Sequence, residues 1–294
     1  MEGPCRAPIQ FQIQGTLQAP KDRSQLDESW VYFRNINMLT LTGGGTFDGQ
    51  GELSWMDSTP VDISFKTVNN SIISGLTFMD SAKFHIKVHD SNNVKFQRVT
   101  ITAPEDSPNT DGIHIAKSSR ITVSDSNIAT GDDCVSTGDG SSQILVSNIN
   151  CGPGHGISIG SLGKYENEQP VVGITVKNCT LTCTTNGARV KTWPDSPGTS
   201  VATNILSQDI IMVNVKNPIL INQNYCDRGK SCDIPQEADT PPPPPEVDTP
   251  PSVTMIYEHP HPLPHPPATF SRGNDRQWRS CSKPLKQDQL EFDK

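Results

Sequence analysis

No run of lysine and arginine occurs in this chain of 294 residues, whose 24 basic residues are outnumbered by 32 acidic ones for a formal net charge of −8. A nucleic-acid partner needs the opposite balance, a basic stripe that displaces condensed counterions, so DNA and RNA are excluded as ligands. No apolar run approaches the roughly 20 residues of a membrane span, which excludes a helical membrane protein. The opening residues Met1-Glu2-Gly3-Pro4-Cys5 lack the charged-then-apolar layout of a signal peptide. Among Cys5, Cys134, Cys151, Cys179, Cys183, Cys226, Cys232 and Cys281 no pair stands at C-x-x-C spacing, which argues against zinc and thioredoxin-type chemistry. Pairs such as Cys134/Cys151 and Cys226/Cys232 are near enough to close short loops, which suits an oxidising compartment. Sequons at Asn69 and Asn178 fit the same compartment. The expectation is a secreted design whose leader is absent.

Helical periodicity is scarce too, and a strand repeat stands in its place. The segments Ser71–Phe78, Val94–Ile101, Ile121–Ile128, Ile144–Cys151, Ile174–Leu181 and Ile205–Met212 align with one another, at start-to-start spacings of 23, 27, 23, 30 and 31 residues. Positions one and three are mostly apolar, two polar or small residues follow, and positions six and eight are mostly apolar again. Alternation of this kind marks strands with one buried face, and the interruption after four residues marks a corner. Short strands at a long fixed period predict an all-β parallel β-helix, a single-stranded solenoid. A β-sandwich also has many short strands, but its turns recur every 8 to 12 residues or so and leave the longer period unexplained. After Cys232 the composition changes: residues 233–294 hold 14 of the 25 prolines, including Pro241 to Pro245. Proline cannot donate to a strand ladder. We therefore expect a catalytic solenoid over residues 1–232 and a Pro-rich, disordered tail over 233–294.

Within the solenoid, four polar clusters fall in register. Asp111 to Asp133 is 22 residues and Asp133 to His155 is again 22, so one coil per repeat stacks these side chains on one wall. Strands one coil apart are about 4.8 Å apart. Arg189 and Lys191, two residues apart on a strand, point the same way. A lone Asp beside Gly usually makes a turn. Asp111, Asp132 and Asp133 stacked together are another matter, because like charges so close are costly without a task. Hydrolysis of a glycosidic bond fits, with one carboxyl as acid and another as base for water. His155 is placed to bond a carboxylate and set its protonation, whereas His85, His89 and His114 show no comparable setting. Arg189 and Lys191 suit an anionic sugar. His259, His261 and His265 form a possible metal tract that the proline-rich context argues against.

Four segments carry a family resemblance: Ser107-Pro108-Asn109-Thr110-Asp111-Gly112, Gly131-Asp132-Asp133-Cys134, Gly154-His155-Gly156-Ile157-Ser158-Ile159-Gly160-Ser161 and Arg189-Val190-Lys191. In this order they resemble the four signatures of the polygalacturonases, the family 28 glycoside hydrolases, from about Gly3 to Cys232. Gly3-Pro4-Cys5, the stretch from Gly43 to Gly51 and the stretch from Gly160 to Tyr165 are most similar to plant exopolygalacturonases. The resemblance implies a right-handed parallel β-helix, inverting hydrolysis of α-1,4-galacturonan in pectin, secretion to the cell wall and no metal or other cofactor. It implies Asp132 as general acid, Asp111 with Asp133 as activators of water, and His155 as the group that tunes the acid. Asn109, Arg189, Lys191 and Tyr225 would hold substrate. The partner would be polygalacturonate, with no nucleic acid and no membrane, and the chain a monomer. The family has further chain before Gly3, a cysteine in the Glu52–Asp62 region to pair with Cys5, and further coils after Tyr225. The expectation is therefore a chain altered at both ends, prone to aggregate and of low activity. The rival function is a β-helix that binds carbohydrate without turning it over.

Overall fold

A computed structural model describes residues 1–225, except Gln25, residues 56–59 and Asp195. The Cys226/Cys232 pair, the histidine-rich tract and the Pro-rich tail lie outside the described residues. Among the described residues nineteen strands form one continuous system of parallel pairs, and there is no α-helix, only the short 3-10 turn Gly51–Leu53. This is the parallel β-helix expected from the repeat, and the right-handed form that the resemblance implies.

The repeat sets the register. Ser71 pairs with Val94, Val94 with Ile121, Thr122 with Leu145, Ile144 with Ile174 and Ile174 with Ile205. Position five of every copy is the corner: Gly75, Arg98, Asp125, Asn148, Asn178 and Asp209 all have positive φ, between 52° and 66°. Left-handed backbone costs most L-residues energy, and Gly, Asn and Asp tolerate it best. The position before each copy is a second corner of the same kind, at Asn70, Asn93, Arg120, Gln143, Gly173 and Asn204. The four residues that open each copy are thus bracketed by two left-handed residues, both of which lie within one long strand in Ser119–Ala129, Ser142–Cys151 and Val171–Thr182. Only the later corner was legible beforehand.

Inside, like side chains stack on like. Phe33 pairs with Phe65 and Phe47 with Phe78, their rings stacked at 5.5 and 5.2 Å. Ile86, Ile113, Val135 and Ile157 form a buried column. Burying each such side chain contributes about 1.5–3 kcal/mol. Cys134 and Cys151, both in the core, form a disulfide that closes 17 residues of chain. One ladder positions the polar clusters. It runs through Ile86–His89, Ile113–Ala116, Asp133–Thr137, Gly156–Leu162, Asn186–Thr192 and Asn217–Asn222.

Candidate active site

Alternation along that ladder turns Ile113, Val135 and Ile157 inward and leaves a polar column on the outer face. The column is His114, Ser136, Ser158 and Arg189, paired in register across four coils. The register shifts between Asp133 and Val135. Such an irregularity re-aims side chains. Cys134 and Val135 can both enter the core, while Asp133 joins the outer column. The glycines around His155 have a steric reason. A Cβ on Gly154 would lie 2.6 Å from the carbonyl oxygen of Asp132, and one on Gly156 would lie 2.0 Å from that of Asn186, so only glycine lets successive coils close up here.

Asp133 is fully buried and is the hub. Its Oδ1 accepts from Ser158 Oγ at 2.6 Å and Arg189 at 2.7 Å, and its Oδ2 accepts from Lys191 Nζ at 3.0 Å. Arg189 Nε also donates to Ser158 Oγ at 2.9 Å. Burial alone would raise the Asp133 carboxyl, but Lys191, Arg189 and Ser158 outweigh it and hold it below its ordinary range. Lys191 answers in kind: burial pulls it down, Asp133 pulls it up, and the net is upward. Among the described residues Asp111 has no such cation in contact. Burial and the charges of Asp132 and Asp133 push it well above the carboxylate range, against weaker pulls from Lys191 and Ser136. Two carboxyls one coil apart are therefore driven in opposite directions, the arrangement that separates a proton holder from an anion.

Asp132 is the accessible carboxyl, its side chain 21% exposed against 0% for Asp133. Its Oδ1 lies 2.8 Å from His155 Nδ1 and accepts from the Asp133 backbone N–H at 2.8 Å. The first and second motifs are tied by Thr110, whose hydroxyl accepts from Gly131 N–H at 3.0 Å. Asn109 is exposed at the rim on a left-handed backbone, φ 55°. The ring of Tyr225 lies 4.8 Å from Lys191 Nζ. The structure thus gathers Asp111, Asp132, Asp133, His155, Arg189, Lys191 and Tyr225 on one wall. Arg189 and Lys191 are not free heads facing the groove: both already hold Asp133.

Sequence reasoning passed over His114, Ser136 and Ser158. Ser136 Oγ donates to Asp111 Oδ2 at 2.8 Å, and His114 Nδ1 lies 2.8 Å from the same Oγ. A hydroxyl has one proton, so with that proton given to Asp111 the Nδ1–H of His114 must be the donor. Burial, then Lys87 and Lys191, hold this imidazole down to about 4, so it is neutral at pH 7. The only hint in the sequence was the 22-residue step from His114 to Ser136, the same as from Asp111 to Asp133.

Donor atoms of Asp132, Asp133 and His155 lie within 4.8 Å of one another. As a metal cage the trio is poorly equipped, since a divalent ion would meet Arg189 and Lys191 at Asp133.

The chain is 52% identical over 241 residues to a polygalacturonase of Medicago sativa, covering 76% of this chain and 57% of that protein. It is 46% identical over 242 residues to an exopolygalacturonase of Platanus acerifolia, covering 78% and 64%. The chain thus spans less than two thirds of either relative. Among solved structures it is similar to an endo-xylogalacturonan hydrolase from Aspergillus tubingensis, with TM-score 0.67, 28% identity, and coverage of 74% of this chain and 63% of that one. The model of glycosyl hydrolases family 28 matches residues 1–239. With that match laid over the carboxylate wall, the chain belongs to glycosyl hydrolases family 28.

Proposed function

We propose that the chain hydrolyses α-1,4-galacturonosyl linkages of pectin by an inverting, two-carboxylate mechanism, acting from the chain end, in the plant cell wall. The observation that carries this reading is the division of labour among three adjacent carboxyls. Asp132, accessible and bonded to His155, delivers the proton to the leaving oxygen. Asp133, the anion of the pair, takes the proton from water on the other face of the sugar, and Asp111 beside it helps to hold that water. Asp133 accepts three hydrogen bonds. A carboxylate has about four lone-pair sites, so one is left for water. Arg189 and Lys191, which keep N–H donors beyond those given to Asp133 and Ser158, meet the galacturonate carboxylate with those, Tyr225 beside them and Asn109 exposed nearby. The plant relatives named polygalacturonase and exopolygalacturonase support the substrate and the exo action. The Cys134–Cys151 disulfide supports an oxidising location outside the cell.

The test is reducing-sugar release from polygalacturonate by the parent and by Asp132→Asn. We expect the variant to keep the fold and lose at least about a hundredfold in rate, since an amide cannot supply the proton. The product from the parent, followed by NMR in the first minutes, should carry the inverted anomer. Activity in Asp132→Asn within about tenfold of the parent would remove Asp132 from the acid role. Binding of polygalacturonate with no turnover by the parent would leave a carbohydrate-binding protein.

A further inference from the structure

Past the carboxylates, beyond the C-terminal ends of Gly156–Leu162 and Asn186–Thr192, the wall continues as alternating cations and aromatic rings. Lys191 Nζ lies 4.8 Å from the Tyr225 ring centre, and Tyr225 meets Trp193 edge-on at 5.8 Å. Lys164 Nζ lies 5.3 Å from the Trp193 ring and 5.7 Å from the Tyr165 ring. The chain of contacts therefore leads from Asp133 to a second ammonium with no step longer than these.

The two ammonium groups differ in what they already hold. Lys191 is buried against Asp133. Lys164 is exposed, and among the described residues no carboxylate lies within ion-pair distance of it. Its position is nevertheless fixed. Glu168 accepts from the backbone N–H groups of Gly163, Lys164 and Tyr165 at 2.6, 2.9 and 3.1 Å, which clasps the loop from both ends. Trp193 is anchored through Nε1–H to Ser161 Oγ at 3.0 Å. Tyr165 is 65% exposed, a large ring with one face against the lysine and the other open.

An ammonium held near aromatic faces is oriented by their negative π-density and keeps its outer N–H donors free. A sugar acid presents the complement, an apolar C–H face for a ring and a carboxylate for the ammonium. We propose that Lys164, Tyr165 and Trp193 form a second uronate-binding subsite, which takes the sugar next to the one held at Arg189 and Lys191. This rests on the galacturonan reading above and adds to it the residues that recognise a longer chain.

The test titrates galacturonate oligomers of defined length into the full chain carrying Asp132→Asn, so that ligand is not consumed. Lys164→Gln and Tyr165→Ala should each weaken trigalacturonate binding about tenfold, the size of one charge or stacking contact. Monogalacturonate affinity should be unchanged, and Lys164→Arg should restore most of the loss. In the chain that keeps Asp132, Lys164→Gln should raise KM for long oligomers by the same factor and leave kcat alone. Trigalacturonate binding in both variants within about twofold of the parent would overturn the subsite and leave the galacturonan reading intact. A parent that binds no galacturonate oligomer would overturn both.

Discussion

Asp111 and Asp133 share a wall, yet among the described residues only Asp133 has cations bonded to it, and the two should respond oppositely to substitution. Asp133 is held below its ordinary value, so its contribution to stability is present above the unfolded carboxylate range and is lost as pH falls through the lowered folded value. Asp111 is raised, so its contribution is present below the unfolded range and is lost as pH rises through the raised folded value. Both Asn variants should be inactive. Asp111→Asn should melt higher than the parent at pH 7, with the gain shrinking towards pH 4. Asp133→Asn should melt lower at pH 7, by about 3–5 kcal/mol of stability, because it leaves Arg189 and Lys191 buried and unpaired. Melting curves of the two variants across pH check both signs. The carboxylates themselves were legible from equal 22-residue steps. The bonds from Arg189 and Lys191 to Asp133 were not, because they join residues 56 and 58 apart in sequence. His114 was not either, since its role passes through the hydroxyl of Ser136 and serines are common in every turn of this chain.

At the scale of the element, each coil is drawn by where the backbone turns left-handed. The later corner was legible because Gly75, Asp125, Asn148, Asn178 and Asp209 recur between apolar pairs. The earlier corner was hidden because its occupants are mixed, with Arg120 and Gln143 among them at φ 55° and 54°. Side-chain identity there is free to vary, since stacking on the next coil holds the conformation. Asn178 is exposed at the later corner, with φ 53°. Asn178→Gly should therefore be nearly neutral, while Asn178→Val should cost about 1–2 kcal/mol, the penalty of left-handed backbone with a bulky side chain. Thermal melting of the two variants, made without glycosylation, measures the difference. A Val variant as stable as the Gly variant would mean that the corner relaxes when its side chain changes.

The whole molecule is a stack in which each coil touches its neighbours and little else. The wall draws Asp111, Asp133, His155 and Arg189 from four successive coils of one ladder, so it exists only while all four are stacked. That ladder is held from inside at one place by Cys134, the residue after Asp133, joined to Cys151. Their exposures are 0% and 2%, so a reducing agent in solution cannot touch either sulfur while the coils are closed. Reduction must wait for the stack to open, as exchange of a buried amide proton does. With rising dithiothreitol the rate of thiol release should therefore climb and then level off at the opening rate. A rate that stays proportional to reductant would mean direct access. With a plateau, how long the protein lasts among thiols depends on how often one coil lifts from the next, and the strength of the surrounding reductant ceases to matter.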